Sequence, residues 1–254
     1  MRVFLNIALL NFETIMPNME NKIFAALDTT NVEEAAALAK RLKGAVGGVK
    51  LGLEFFSANG AAGVRTIARA GLPIFLDLKF HDIPNTVAGA VRALVKLRPK
   101  IINVHAAGGP AMMRASAEAA TEAAETLKMP RPLVIAVTVL TSMDNDDLNA
   151  VGQQGPISDQ VIRLARLTQD SGLDGVVCSP QEAAGVRAAC GPDFKLIVPG
   201  IRPSLSLSND QKRTSSPSEA VNAGADYLVI GRPITKAPDP AAAARAMAAN
   251  LGSS

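Results

Sequence analysis

The sequence predicts an α/β protein, a single-domain (β/α)₈ barrel. Three observations carry that expectation. Eight short apolar runs recur from Ile23 onward, each nearly continuous in hydrophobicity, as parallel strands covered by helices require. Stretches with helical spacing, many of them Ala-rich, follow these runs, and strict alternation of the two textures marks βα units. No G-x-G-x-x-G turn follows the first run, which counts against a doubly wound open sheet, the runner-up architecture.

The first strand is IFAALD (23–28), followed by the helical VEEAAALAKRL (32–42). GVKLGL (48–53) is the second strand and PIFLDLK (73–79) the third, after which Pro84 opens a helix through NTVAGAVRALVKL (85–97). IINVHA (101–106), LVIAVTVL (133–140), LDGVVCS (173–179), KLIVPGI (195–201) and YLVIGRP (227–233) complete the eight, and AAAARAMAANL (241–251) is the last helix. The most polar stretch, 204–218, contains LSLSNDQKRTSSPS and lacks apolar periodicity. A loop of that length between strands seven and eight is expected to be a lid or binding loop.

Composition narrows the function. The chain has 254 residues, 48% of them hydrophobic, enough for a full core. Its net charge is +3, with 26 basic and 23 acidic residues and no basic run of five, so no nucleic-acid partner is expected. Cys178 and Cys190 are the only cysteines and His81 and His105 the only histidines, without metal-ligand spacing. This pattern reads as a reduced cytoplasmic protein with no metal site. The apolar run Val3 to Leu10 is too short to span a membrane. Residues 1–20 are expected to lie outside the fold, with Met16 and Met19 as candidate starts, and 21–254 to form the barrel.

Active sites of such barrels stand at the C-terminal ends of the strands, and charged or polar residues recur there. Asp28 ends strand one, Lys50 lies in strand two, and Asp77 and Lys79 end strand three. Thr141 follows strand five, Arg202 strand seven, and Arg232 ends strand eight. Asp77 and Lys79 are two apart and share a strand face. Singly, each has a local reading. Asp28 and Asp82 cap turns or helices, Lys50 snorkels, and the arginines are solvated loop charges. Their joint placement at one rim favours a site. His105 is expected to be structural, and His81 is given no role. PGIRP (199–203) and IGRP (230–233) each set an arginine after a glycine beyond a strand. Such loops bind phosphate: glycine admits backbone N–H groups and arginine supplies a fork, with Gln211 placed to close over the anion.

At this point the residues resemble a known family. DLKFHDIPNTV (77–87) is similar to the motif of bacterial orotidine 5′-phosphate decarboxylases, and ALD, VKLG, NVHAAGG, AVTVLTSM, LDGVVCS, PGIRP, DQKR and IGRPIT stand around it in family order. The resemblance implies a cofactor-free TIM barrel without metal that converts orotidine 5′-monophosphate (OMP) to UMP. It implies that Asp28 and Lys50 hold the ribose, and that Lys50, Asp77 and Lys79 form an alternating charge array. Lys79 would protonate C6. Asp82 and Thr86 would come from the second subunit of a homodimer. Thr141 would meet the pyrimidine, and Arg202, Gln211, Gly231 and Arg232 the 5′-phosphate. Two alternatives stay open: a related metal-dependent keto-sugar-phosphate barrel, and a nucleotide-binding barrel without catalysis.

Overall fold

The computed structural model describes residues 21–202 and 215–251. Eight parallel strands close into one barrel in sequence order, with β8 pairing back onto β1. They are β1 (Ile23–Ala26), β2 (Gly48–Gly52), β3 (Ile74–Phe80), β4 (Ile101–His105), β5 (Leu133–Val137), β6 (Gly175–Val177), β7 (Lys195–Val198) and β8 (Tyr227–Ile230). The helices are α1 (Val32–Leu42), α2 (Leu53–Ala68), α3 (Pro84–Val95), α4 (Gly109–Thr126), α5 (Asn145–Ala150), α6 (Ile157–Asp170), α7 (Pro180–Cys190), α8 (Pro217–Asn222), α9 (Arg232–Thr235) and α10 (Pro240–Ala249).

Local sequence accounts for the helix boundaries. The Asn31 side chain accepts the Glu34 N–H to start α1, whose first turn carries Glu33 and Glu34 and whose last turn carries Lys40 and Arg41. Acid at the N-terminus and base at the C-terminus both complement the helix dipole. Pro84 opens α3, where its missing N–H loses nothing.

The polar stretch 204–218 differs from its expectation at its far end. Pro217 and Ser218 already belong to α8. Ser216 and Glu219 form a reciprocal capping box there, an S-x-x-E start concealed by the polar composition. Strands five, seven and eight also stop three residues short of their expected ends. At β7 the reason is visible: Gly200 turns the chain at φ +78°, a left-handed conformation that suits glycine. The proposed N-terminal extension lies outside the described residues.

Alternation along each strand splits the apolar residues in two. Ile23, Ala25, Val49, Leu51, Leu76, Ile102, Val104 and Leu196 face the helices. Phe24, Ala26, Phe75, Ile101, Ile135, Ile197 and Val229 fill the barrel itself. Tyr227 meets Phe24 edge-on at 5.5 Å between ring centroids, and the Lys100 ammonium lies over the Tyr227 ring. The interior is thus a packed plug, and Lys50 and Asp77 succeed it on the inward face of β2 and β3.

Candidate active site

A cavity of about 740 Å³ opens at the C-terminal rim, within the ordinary size range of small-molecule sites. Its lining brings together Asp28, Lys50, Asp77, Lys79, Thr141, Arg202, Gly231 and Arg232. It adds Lys236, just past α9, which the sequence reading did not single out.

The charges just past β1 and on β2 and β3 form a continuous alternating row. Lys50 Nζ lies 3.2 Å from Asp28 Oδ1 and 3.4 Å from Asp77 Oδ2. Lys79 Nζ donates to Asp77 Oδ1 at 2.7 Å. Burial disfavours charge on Lys50, but Asp77 and Asp28 outweigh it and hold the ammonium above the ordinary lysine value. Burial likewise works against the Asp77 carboxylate, yet Lys50 and Lys79 keep its carboxyl below the usual range. Lys50 and Asp77 are therefore charged at neutral pH, as a buried pair of opposed signs requires.

The backbone that presents Lys79 is unusual. The β3–β4 pairing slips between Leu76 and Phe80, and within that slip Lys79 adopts φ +50°. A non-glycine residue rarely enters that region, and such strain collects at functional sites. Asn103 on β4 braces it. This fully buried side chain accepts the Lys79 backbone N–H at 2.8 Å and donates to Asp77 Oδ1 at 2.7 Å. Sequence reasoning quoted NVHAAGG without assigning Asn103. The available signal was an amide inside an otherwise apolar strand.

Asp82 and Thr86 do not join the row of their own chain. Both are exposed and absent from the cavity lining. Asp82 Oδ1 instead accepts the Ile83 N–H. Gln211 lies outside the described residues. His105 has the structural place expected of it: its Nδ1 accepts the Ala107 N–H and its ring stacks on His81. Burial, with His81 and Lys79 nearby, lowers its pKa. Among the described residues no three His, Cys, Asp or Glu side chains gather as a metal site would need. No helix among them is long and apolar enough to cross a membrane.

A family model described as "Orotidine 5'-phosphate decarboxylase / HUMPS family" matches residues 21–247. The chain belongs to this family. The orotidine 5'-phosphate decarboxylase of Rhodospirillum rubrum is 60% identical over 233 residues, covering 91% of this chain and 94% of the relative. That of Paramagnetospirillum magneticum is 56% identical over 92% of this chain and all of the relative. Among solved structures, the orotidine 5'-phosphate decarboxylase of Lactobacillus acidophilus superposes with a TM-score of 0.81 at 35% identity, covering 92% of this chain and 100% of that one.

Proposed function

We propose that the protein decarboxylates orotidine 5′-monophosphate to UMP, with Lys79 as the proton donor and no prosthetic group. Family membership and full-length similarity to named decarboxylases place it among the carboxy-lyases. The observation that carries the mechanism is the Asp28–Lys50–Asp77–Lys79 row standing in the cavity.

Breaking the bond from C6 to the carboxylate releases CO₂ and leaves the electron pair in the plane of the ring, where delocalisation is poor. The lysine ammonium stabilises that charge directly. At about 4 Å and an effective dielectric of about 20, one such pair is worth roughly 4 kcal/mol. A proton then passes from Lys79 Nζ to C6, and the amine recovers one from water. Asp77 holds the Lys79 ammonium aimed until that moment. Because the carboxylate and ammonium are already in place, little reorganisation is needed as charge develops.

In this reading Asp28 and Lys50 take the ribose hydroxyls and Thr141 the pyrimidine edge. Arg202, Gly231 and Arg232, with Gln211, take the 5′-phosphate. Phosphate binding far from C6 supplies energy for assembling the site, so it acts on rate as well as affinity. The working unit is a homodimer in the cytoplasm. Asp82 and Thr86 reach the partner's cavity, which fits their exposure and their absence from their own. Exposed Ile83 adjoins them. Sedimentation at micromolar concentration is expected to give a dimer; a monomer with full activity would exclude the shared site.

The deciding experiment follows loss of orotate absorbance with OMP as substrate. The protein turns OMP over, and folded Lys79→Ala does not. UMP formation by that variant would overturn the assignment of the proton donor.

A further inference from the structure

Asn103 is a polar side chain at 0% exposure in the middle of IINVH. A buried amide without partners would be strongly destabilising, and both ends of this one are bonded to β3. The place of those bonds matters. Leu76 pairs with Ile102 and Phe80 with Val104, so β3 carries two more residues than β4 across the slip, and Asn103 is the β4 residue opposite it. Strand-to-strand pairing is interrupted where Lys79 sits. The Asn103 carbonyl takes the Lys79 N–H that a regular ladder would have paired, and its amide nitrogen reaches Asp77 Oδ1. That oxygen also accepts from Lys79 Nζ. One side chain thus ties the backbone of the lysine to the carboxylate that aims its ammonium.

We propose that Asn103 is a positioning residue for the reaction: it holds Lys79 in its left-handed backbone conformation and fixes the Asp77 carboxylate, so that ammonium and carboxylate meet the substrate in one geometry. This rests on Lys79 acting as proton donor. Asn103 itself does not line the cavity. Leucine at this position keeps the branched four-atom skeleton of the side chain, at a larger volume, but has neither hydrogen-bonding group. Aspartate keeps the acceptor for the Lys79 N–H, and only its protonated form can donate to Asp77.

The test compares Asn103→Leu, Asn103→Asp and Lys79→Ala with the wild-type protein, using OMP turnover across pH and thermal unfolding. For Asn103→Leu, kcat falls on the order of 10- to 100-fold, the range for a lost hydrogen bond to a charged group. Its KM stays within about threefold, because an interaction made in positioning and not in substrate binding has been removed. Asn103→Asp acquires a new limb in its pH profile, with kcat falling as pH rises and the introduced carboxyl ionises against Asp77. The groups facing position 103 are Asp77 and Lys79 from β3, with Lys50 bonded to Asp77 from β2 and His105 two residues along β4. From β5 the inward residues are Ile135 and Val137, which do not titrate.

A folded Asn103→Leu protein with wild-type kcat, or with only KM raised, would overturn the proposal. So would an Asn103→Asp pH profile that superimposes on the wild type. If the leucine variant is recovered only as aggregate, the aspartate profile decides alone. Turnover by Lys79→Ala sinks the proton-donor reading and this inference together. An inactive Lys79→Ala beside a fully active Asn103→Leu sinks the inference alone.

Discussion

The barrel carries ionic networks at both ends, and they differ in what their charges touch. At the N-terminal end, Asp226 Oδ2 accepts from Arg187 at 2.6 Å and from the Leu196 N–H. Arg187 also donates to the carbonyls of Gly191, Phe194 and Gly224. Asp174 accepts from Arg131 and from the Val134 N–H. These carboxylates stitch the entry of one strand to its neighbour. At the C-terminal end, the row from Asp28 to Lys79 consists of side chains paired with side chains, and it faces a cavity. A charge pair that satisfies backbone groups is saturated by the fold. One that satisfies mainly other charges stays available to a ligand, and the proposed division between scaffold and chemistry rests on that distinction.

Substitutions at the two ends should therefore fail in different ways. The largest effect is expected from Lys79→Ala, which should lower OMP turnover by at least about 1,000-fold, the scale of losing a preorganised electrostatic partner, while circular dichroism stays native. Arg232→Ala should lower kcat/KM by about 100-fold, as losing a charged hydrogen-bonding group to an anion does. An unchanged value would remove the phosphate assignment. At the other end, Asp226→Asn should leave kcat/KM within about twofold and lower unfolding stability by about 2 to 4 kcal/mol, since Arg187 loses its counter-charge. Loss of activity without loss of stability there would erase the contrast between the ends.

The smallest effect is a pH dependence. The Asp77 pKa is lowered by folding from its ordinary 3.8. Its contribution is thus complete above that value and is lost as pH falls through the lower folded one. The Lys50 pKa is raised above 10.5, so its contribution is complete below 10.5 and is lost as pH rises through the higher folded value. Thermal midpoints of wild type and Asp77→Asn should differ by a constant gap from about pH 5 to 9, narrowing in stronger acid and, as Lys50 deprotonates, in stronger base. A gap that closed near pH 6 would show that the carboxylate is not held by its lysines.

The fold was legible because buried parallel strands are written as nearly uninterrupted apolar runs, and Asp28, Lys50, Asp77 and Lys79 stood out as charges within or at the ends of them. The Lys79 brace was not legible in the same way. Its left-handed backbone has no glycine to announce it, and the slip that makes Asn103 its partner is a property of how β3 and β4 align. The start of α8 was missed for a simpler reason, since serine and proline signal loop and helix start alike. Asp82 and Thr86 show a different boundary: their exposure is visible in one chain, whereas their role in the proposed dimer depends on a second copy.

The plug of Phe24, Phe75, Ile101, Ile135, Ile197 and Val229 beneath the charged row has a logistical consequence. It makes the chamber a dead end, not a tunnel. Whatever enters the chamber must leave by the C-terminal rim through which it came in. The rim that admits one molecule also governs how soon the next can follow.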